Sequence, residues 1–205
     1  MEEVSGEDLD WFFDAWLHDT RILDYGIKSY TSKSRPDGTW DVTLLIEQKG
    51  ERFMPLDILT KLKNGKSHHQ RWENHLWRFN DTLRYQVPAK PINIILDPDV
   101  ILLDVDRRNN FSKGMGTEWM FDIQNRSYNP MNKHVMKWLP TIHYNEIDGG
   151  IPGLHLNRSY GPYENIDAYF GFGMKSKQVY GSISGWRNAA KSASRLKWWG
   201  QVSKL

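Results

Sequence analysis

From Asp24 onward, apolar residues recur at every second position, and turn residues break the pattern at short intervals. Side chains alternate across a strand, so this period commits the segment to pleated sheet with one face buried. Trp40, Val42, Leu44 and Ile46 alternate with Asp41, Thr43 and Glu47, and Met54, Leu56, Ile58 and Leu62 continue the series. Residues 22–32, 67–79, 82–87, 92–96 and 100–105 read as further strands. Between them stand Pro36-Asp37-Gly38, where a fixed φ precedes a residue free to take φ > 0, and Asp97-Pro98-Asp99. Asn64-Gly65 is the strongest short hairpin signal available. Residues 21–110 are therefore expected to form an antiparallel β-sandwich.

The first twenty residues follow a different period. Ser5-Gly6-Glu7-Asp8 is suited to open a helix, with Ser5 accepting from first-turn amides and the two acids at the positive end of the dipole. Leu9, Phe12, Phe13, Trp16 and Leu17 then fall at i, i+3, i+4, i+7 and i+8, a wide apolar stripe. His18 and Arg21 sit at its C-terminal end. Residues 1–20 are expected to be a terminal helix whose stripe, too apolar to face water, packs on another domain.

Asn109-Asn110 and the Gly-rich residues 112–116 mark a boundary, and the texture changes beyond it. Residues 138–144, 150–156, 166–174 and 178–186 are extended, aromatic and Gly-rich, separated by Asp148-Gly149-Gly150 and by residues 159–163. Alternating segments of about ten residues, with aromatics near their ends and polar turns, are the pattern of outer-membrane barrel strands. In Ala168, Phe170, Phe172 and Met174 one face is apolar, while Gly171 and Gly173 lie on the other. About four such strands cannot close a barrel, which needs at least eight. The basic residues 187–205 read as a loose helix or a disordered tail. The expected fold is thus mainly β: an N-terminal amphipathic helix (1–20), an antiparallel β-sandwich (21–110), and a Gly/aromatic-rich antiparallel β-meander with a basic tail (111–205).

Composition narrows the function. The 205 residues carry 27 Lys and Arg against 25 Asp and Glu, a net charge of +2, far from the basic excess of a nucleic-acid binder. Arg71-Trp72, Trp77-Arg78 and Lys197-Trp198-Trp199 combine cations with rings, but at this net charge Arg stems lying on half-buried Trp are the better reading. With no cysteine, disulfides and thiolate metal sites are excluded. No apolar run is long enough for a transmembrane helix, and the acidic N-terminus shows no secretion signal.

Three groups of side chains invite a chemical reading, and each has a plainer one. His68, His69 and His75 are the densest histidines, yet the first two face opposite sides of a strand and the third lies roughly 20 Å away. Asp97, Asp99, Asp104 and Asp106 lack the Asp-x-Asp-x-Asp-Gly loop and distal Glu of a calcium site, so turn capping is preferred. Ser182 and Ser184 have no His–Asp arrangement that spacing supports, and Gly171-Phe172-Gly173 lacks the strand–helix context of a phosphate loop. No catalytic, cofactor-binding or metal-ligating residue is assigned.

Residues 5–17, S-G-E-D-L-D-W-F-F-D-A-W-L, resemble the last helix of the catalytic domain in aminopeptidase N-like zinc metallopeptidases, the gluzincins, which read S-G-x-D-L-x-x-F-F-x-x-W-L there. Ile46-Glu47-Gln48, Pro55, Asn64-Gly65, Leu96-Asp97-Pro98-Asp99, Leu103-Asp104-Val105-Asp106 and Asn109-Asn110 match the family's following β-sandwich in order. Residues 138–186, with W-L-P-x-x-x-Y-N and D-G-G-x-x-G, resemble the opening strands of barrel-like extensions found in some Gram-negative relatives. The resemblance implies a zinc-dependent parent hydrolase whose ligands, two His and a Glu, lie upstream. No H-E-x-x-H occurs here, so no ligand carries over and this chain alone should be inactive.

The resulting expectation is a non-catalytic C-terminal piece of such a metallopeptidase, with Met1 an internal or artificial start and zinc only in the parent. Its partner would be the missing catalytic domain, met through Leu9, Phe12, Phe13 and Trp16. Its place would be the periplasm or the outer membrane, with contact to that membrane and none to nucleic acid. The alternative is a standalone β-sandwich interaction module.

Overall fold

In residues 25–96 the alternation of apolar and polar positions builds two antiparallel sheets of three strands each. The computed structural model describes residues 6, 8–18, 20–73, 80–122, 130–161, 163–188 and 195–203. The chain divides into two compact units, Met1–Gly114 and Met115–Leu205.

Unit 1 contains β1 (Tyr25–Ser34), β2 (Trp40–Gln48), β3 (Leu56–Leu62), β4 (Ser67–Trp72), β5 (Asn80–Val87) and β6 (Pro91–Leu96). Its sheets have the orders β1-β2-β5 and β4-β3-β6. Val42, Leu44 and Ile46 in β2, and Leu56, Ile58 and Leu62 in β3, are buried at alternate positions. With Tyr25, Val87, Ile94 and Leu96 they form one hydrophobic cluster drawn from both sheets. Each such aliphatic side chain contributes roughly 1.5–3 kcal/mol by leaving water.

Two hydroxyls tie polar groups into this core. Thr60, fully buried among apolar neighbours, shares a 2.7 Å hydrogen bond with Tyr85 of the other sheet. Tyr25 Oη donates to the Met54 carbonyl at 2.8 Å and accepts from the Met54 N–H at 2.9 Å. The Asn64-Gly65 hairpin joins β3 to β4 as its sequence requires, with Gly65 at φ 81 and Asn64 Oδ1 accepting from the Lys66 N–H. At Pro36-Asp37-Gly38 the Asp37 carboxylate accepts from both the backbone and the hydroxyl of Thr39.

The expected N-terminal helix is not formed. Among the described residues the segment holds only α1 (Asp10–Phe13), continued by a π turn (Asp14–His18), and no helix reaches seven residues. Asp8 caps the start, its carboxylate accepting from the Asp10 N–H; Ser5 and Glu7 lie outside the described residues. The wider π turn takes Leu17 out of line with Leu9 and Phe13, and Leu17 is 70% exposed. The side chains of Phe12 and Trp16 are likewise outside the described residues. No described side chain of this segment belongs to the core cluster, and two helical turns are marginal in water without tertiary packing.

A second correction concerns residues 100–105, which form a loop rather than a strand. Val100 has φ 60, and pairing is limited to one bridge between Leu23 and Asp104.

Unit 2 is one six-stranded sheet, β12-β11-β10-β9-β8-β7 in order. Its strands are β7 (Gly116–Phe121), β8 (Lys133–Asn145), β9 (Gly149–Tyr160), β10 (Glu164–Phe172), β11 (Val179–Asn188) and β12 (Arg195–Ser203). The expected antiparallel meander is therefore a mixed sheet, because β7 runs parallel to β8. Residues 195–203, expected as loose helix or tail, are its edge strand, paired along β11 from Arg195↔Asn188 to Ser203↔Tyr180. A partner strand supplies the order that the segment's own sequence does not.

Tyr25→Phe keeps the ring and strips the buried Met54 N–H and C=O of their partner. It is expected to lower unfolding stability by about 2–4 kcal/mol, read from the midpoint of a urea titration of the full chain.

Candidate functional site

The acidic residues of the Asp97–Asn110 region are spent on holding unit 1 together. Asp97, buried, accepts from the Ile101 and Leu102 amides at 3.0 and 2.9 Å. The buried Arg107 guanidinium reaches the same carboxylate at 2.5 Å and also donates to the carbonyls of Leu102 and Asp97. Asp104 accepts from the Tyr25 and Asp106 amides and from Asn110 Nδ2. Asn109 Nδ2 donates to Asp24 at 2.8 Å, and Asp106 pairs with Arg108 at 2.7 Å. These carboxylates thus have protein donors where a calcium site would have an ion, while Asp99 is exposed beside them. The short 3₁₀ turn Arg107–Asn109 places the three donors Arg107, Arg108 and Asn109 in succession.

The histidines do not converge either. His68, paired with Thr60, stacks on Tyr85 with ring centroids 5.6 Å apart, and His69 points to solvent from the other side of β4. His75 lies outside the described residues. Among the described residues no group of three or more His, Cys, Asp or Glu is arranged to hold a metal ion.

The more informative surface is the sheet of unit 2. Residues opposite one another in paired strands share a face, so the pairings sort every position. The row Phe121–Trp138–Leu156–Ala168–Ile183 runs across β7 to β11 on one face. Two residues along, Pro140, Leu154, Phe170 and Gly181 follow, then Ile142, Pro152, Phe172 and Val179. Apart from the half-buried Leu156, the large side chains of these rows are exposed, from Leu154 at 37% to Ile142 at 78%. None belongs to the core cluster, all of whose members lie in unit 1.

The opposite face carries the hydrogen-bonded polar side chains of the sheet. His155 Nε2 lies 2.7 Å from Asp167 Oδ1, and Asn157 donates to both Asn165 and Asp167. Further along, His143, Tyr169, Tyr180, Ser182 and Gln201 border a depression of about 330 Å³. At its rim the Asp148 carboxylate is held below the usual range by the hydroxyls of Ser176 and Tyr180 and by Asn145. Tyr169 lies across two strand glycines: a Cβ on Gly171 would stand 2.5 Å from its hydroxyl, and one on Gly153 2.9 Å. Val135, Leu139, Ile151 and Trp186 also lie on this face, with Val135 and Ile151 buried, and Trp199 stands 84% exposed in the row of Asp167 and Ser184.

A His–Asp pair therefore does share a face with Ser182 and Ser184, which spacing alone did not reveal. Ser182 and His155 stand in one row with Tyr169 between them. Two strand spacings, about 10 Å, put that serine beyond reach of the imidazole. No helix among the described residues is long and apolar enough to cross a membrane. No family model, no curated protein and no solved structure matches this chain.

Burial raises the Asp104 carboxyl from 3.8 to about 6, against the opposing effect of its three donors. The folded state then binds an extra proton between about pH 4 and 6. The corresponding stabilisation is full below that window and lost as pH rises through it, on the order of 3 kcal/mol. Asp106 works the other way, because Arg108 outweighs its burial and lowers it. Asp24, which burial also raises, adds to the decline, and Asp104→Asn should remove most of it, seen in unfolding midpoints taken at successive pH values. A wild-type profile that is flat across that window would exclude this account.

Proposed function

We propose that this chain is a non-catalytic β-sheet interaction module, acting by docking rather than by bond chemistry. The observation that supports the reading is the division of unit 2's sheet into an exposed apolar face and a hydrogen-bonded polar one. Exposed apolar side chains scattered singly are ordinary, but successive rows of them on one face mark a surface that leaves water when in use. The titratable groups that invite a catalytic reading are engaged otherwise. Asp97 and Asp104 serve the loop of unit 1, and His155 is directed at Asp167.

The reading predicts that the full chain binds an environment-sensitive apolar dye. Paired charges on the apolar face, Ile142→Lys with Phe170→Lys, should remove most of the signal. Paired charges on the polar face, Thr141→Lys with Ser182→Lys, should leave it, with sheet content checked by circular dichroism. The chain incubated with zinc should not turn over an aminoacyl-arylamide. Zinc-dependent turnover, or dye binding indifferent to both pairs, overturns the proposal.

A further inference from the structure

Resting on that docking reading, the geometry points to the hydrocarbon of a lipid bilayer as the partner of the apolar face, with β8 to β11 crossing it as part of a strand wall. The distribution of charge carries the inference. On the apolar face, charged side chains stand, among the described residues, only at two margins. At one are Arg158, Glu164 and Arg187, with the Glu164 carboxylate 3.5 Å from Arg158 and 3.6 Å from Arg187. At the other, the strands run out into turns bearing Glu146, Lys175 and Lys177, where Lys175 Nζ donates to the Glu146 carbonyl at 3.0 Å.

Between the margins this face is uncharged on every one of these strands. On β10 it presents Ile166, Ala168, Phe170 and Phe172. The uncharged stretch is about ten residues per strand, roughly 33 Å at about 3.3 Å per residue, or about 25 Å across a bilayer at a tilt near 40°. The apolar band of a membrane-spanning strand wall is about 25 Å tall. Trp119 and Trp198 share the row of Arg158 at one margin, and Tyr144 stands near the other, the places where amphipathic rings meet the two membrane interfaces.

A second copy laid on this face would need apolar area. It would not need charges held at a constant separation on successive strands, nor strands of 13 and 12 residues such as β8 and β9, about twice the soluble average. The polar face, turned from lipid, carries its own hydrogen bonds through His155, Asn157, Asn165 and Asp167. The edges β7 and β12 each leave backbone groups that hydrocarbon cannot satisfy, so insertion requires their pairing with further strands. For this chain by itself those strands come from other copies.

The test is to dilute the full chain from denaturant into dilauroylphosphatidylcholine vesicles and, separately, into buffer, then separate by flotation. Wild type should float as an oligomer, with tryptophan fluorescence quenched by brominated lipid. Phe170→Arg, at mid-height, should lower partitioning by at least about 30-fold and Ile142→Arg, nearer a margin, by less, while Thr141→Arg and Ser182→Arg float as wild type does. Wild type left in the aqueous fraction, a floated monomer, or equal loss from both faces overturns the inference. Self-association in buffer that depends on Ile142 and Phe170, without flotation, assigns the face to a second copy and leaves the docking reading standing. Loss of apolar-dye binding from neither face removes the docking reading itself.

Discussion

The turn between β8 and β9 sets the register on which both faces of unit 2's sheet depend. Asn145 Oδ1 accepts from the amides of Ile147 and Asp148 at 3.0 and 2.7 Å, and Asn145 Nδ2 reaches back to the Asp148 carboxylate. That closed loop pairs Asn145 with Gly149 and thereby Trp138 with Leu156. Because strand side chains alternate with a period of two, a slip of one residue would move Trp138 and Ile142 to the polar side. The separate β9–β10 register sets His155 beside Tyr169 and brings Asp167 within reach of its ring. A short polar turn thus decides the chemical character of two surfaces.

Unit 1 obeys the same rule with the opposite outcome. Its alternating apolar residues meet in one cluster and leave water, so its polar residues are found where chain segments must be tied down. Arg107 with Asp97, Asn110 with Asp104 and Asn109 with Asp24 join the loop after β6 to the start of β1. Buried ionic groups of this kind add little net stability but are costly to break singly. Apart from the exposed Asp99, the acids and amides of the D-P-D…D-x-D…N-N pattern are therefore understood as a latch, each meeting a buried or half-buried partner.

Several features were legible in the sequence because their causes are local. The alternation in β2 and β3 gave their buried positions, and Gly38 and Gly65 take positive φ at the turns read for them. Other features have causes far along the chain. Residues 100–105 are apolar enough for a strand, but the amides of Ile101 and Leu102 are taken by Asp97. The stripe of Leu9, Phe13 and Leu17 has helical spacing, yet spacing stabilises a helix only where the stripe is packed. Neither β7 nor β12 announces itself, since the first is defined by a parallel neighbour and the second by β11. The His155–Asp167 pair was equally hidden, its members being brought together by the β9–β10 pairing.

By itself the sequence determined the β character of residues 25–96, the turns within it, and the exclusion of disulfide and thiolate chemistry, because composition and the pleat's period act residue by residue. Tertiary structure alone decided which acids became latches, which segments were paired into edges, and that most of the exposed apolar residues of unit 2's strands fall on one face. Those outcomes depend on register and on partners distant in the chain, and no local propensity encodes either.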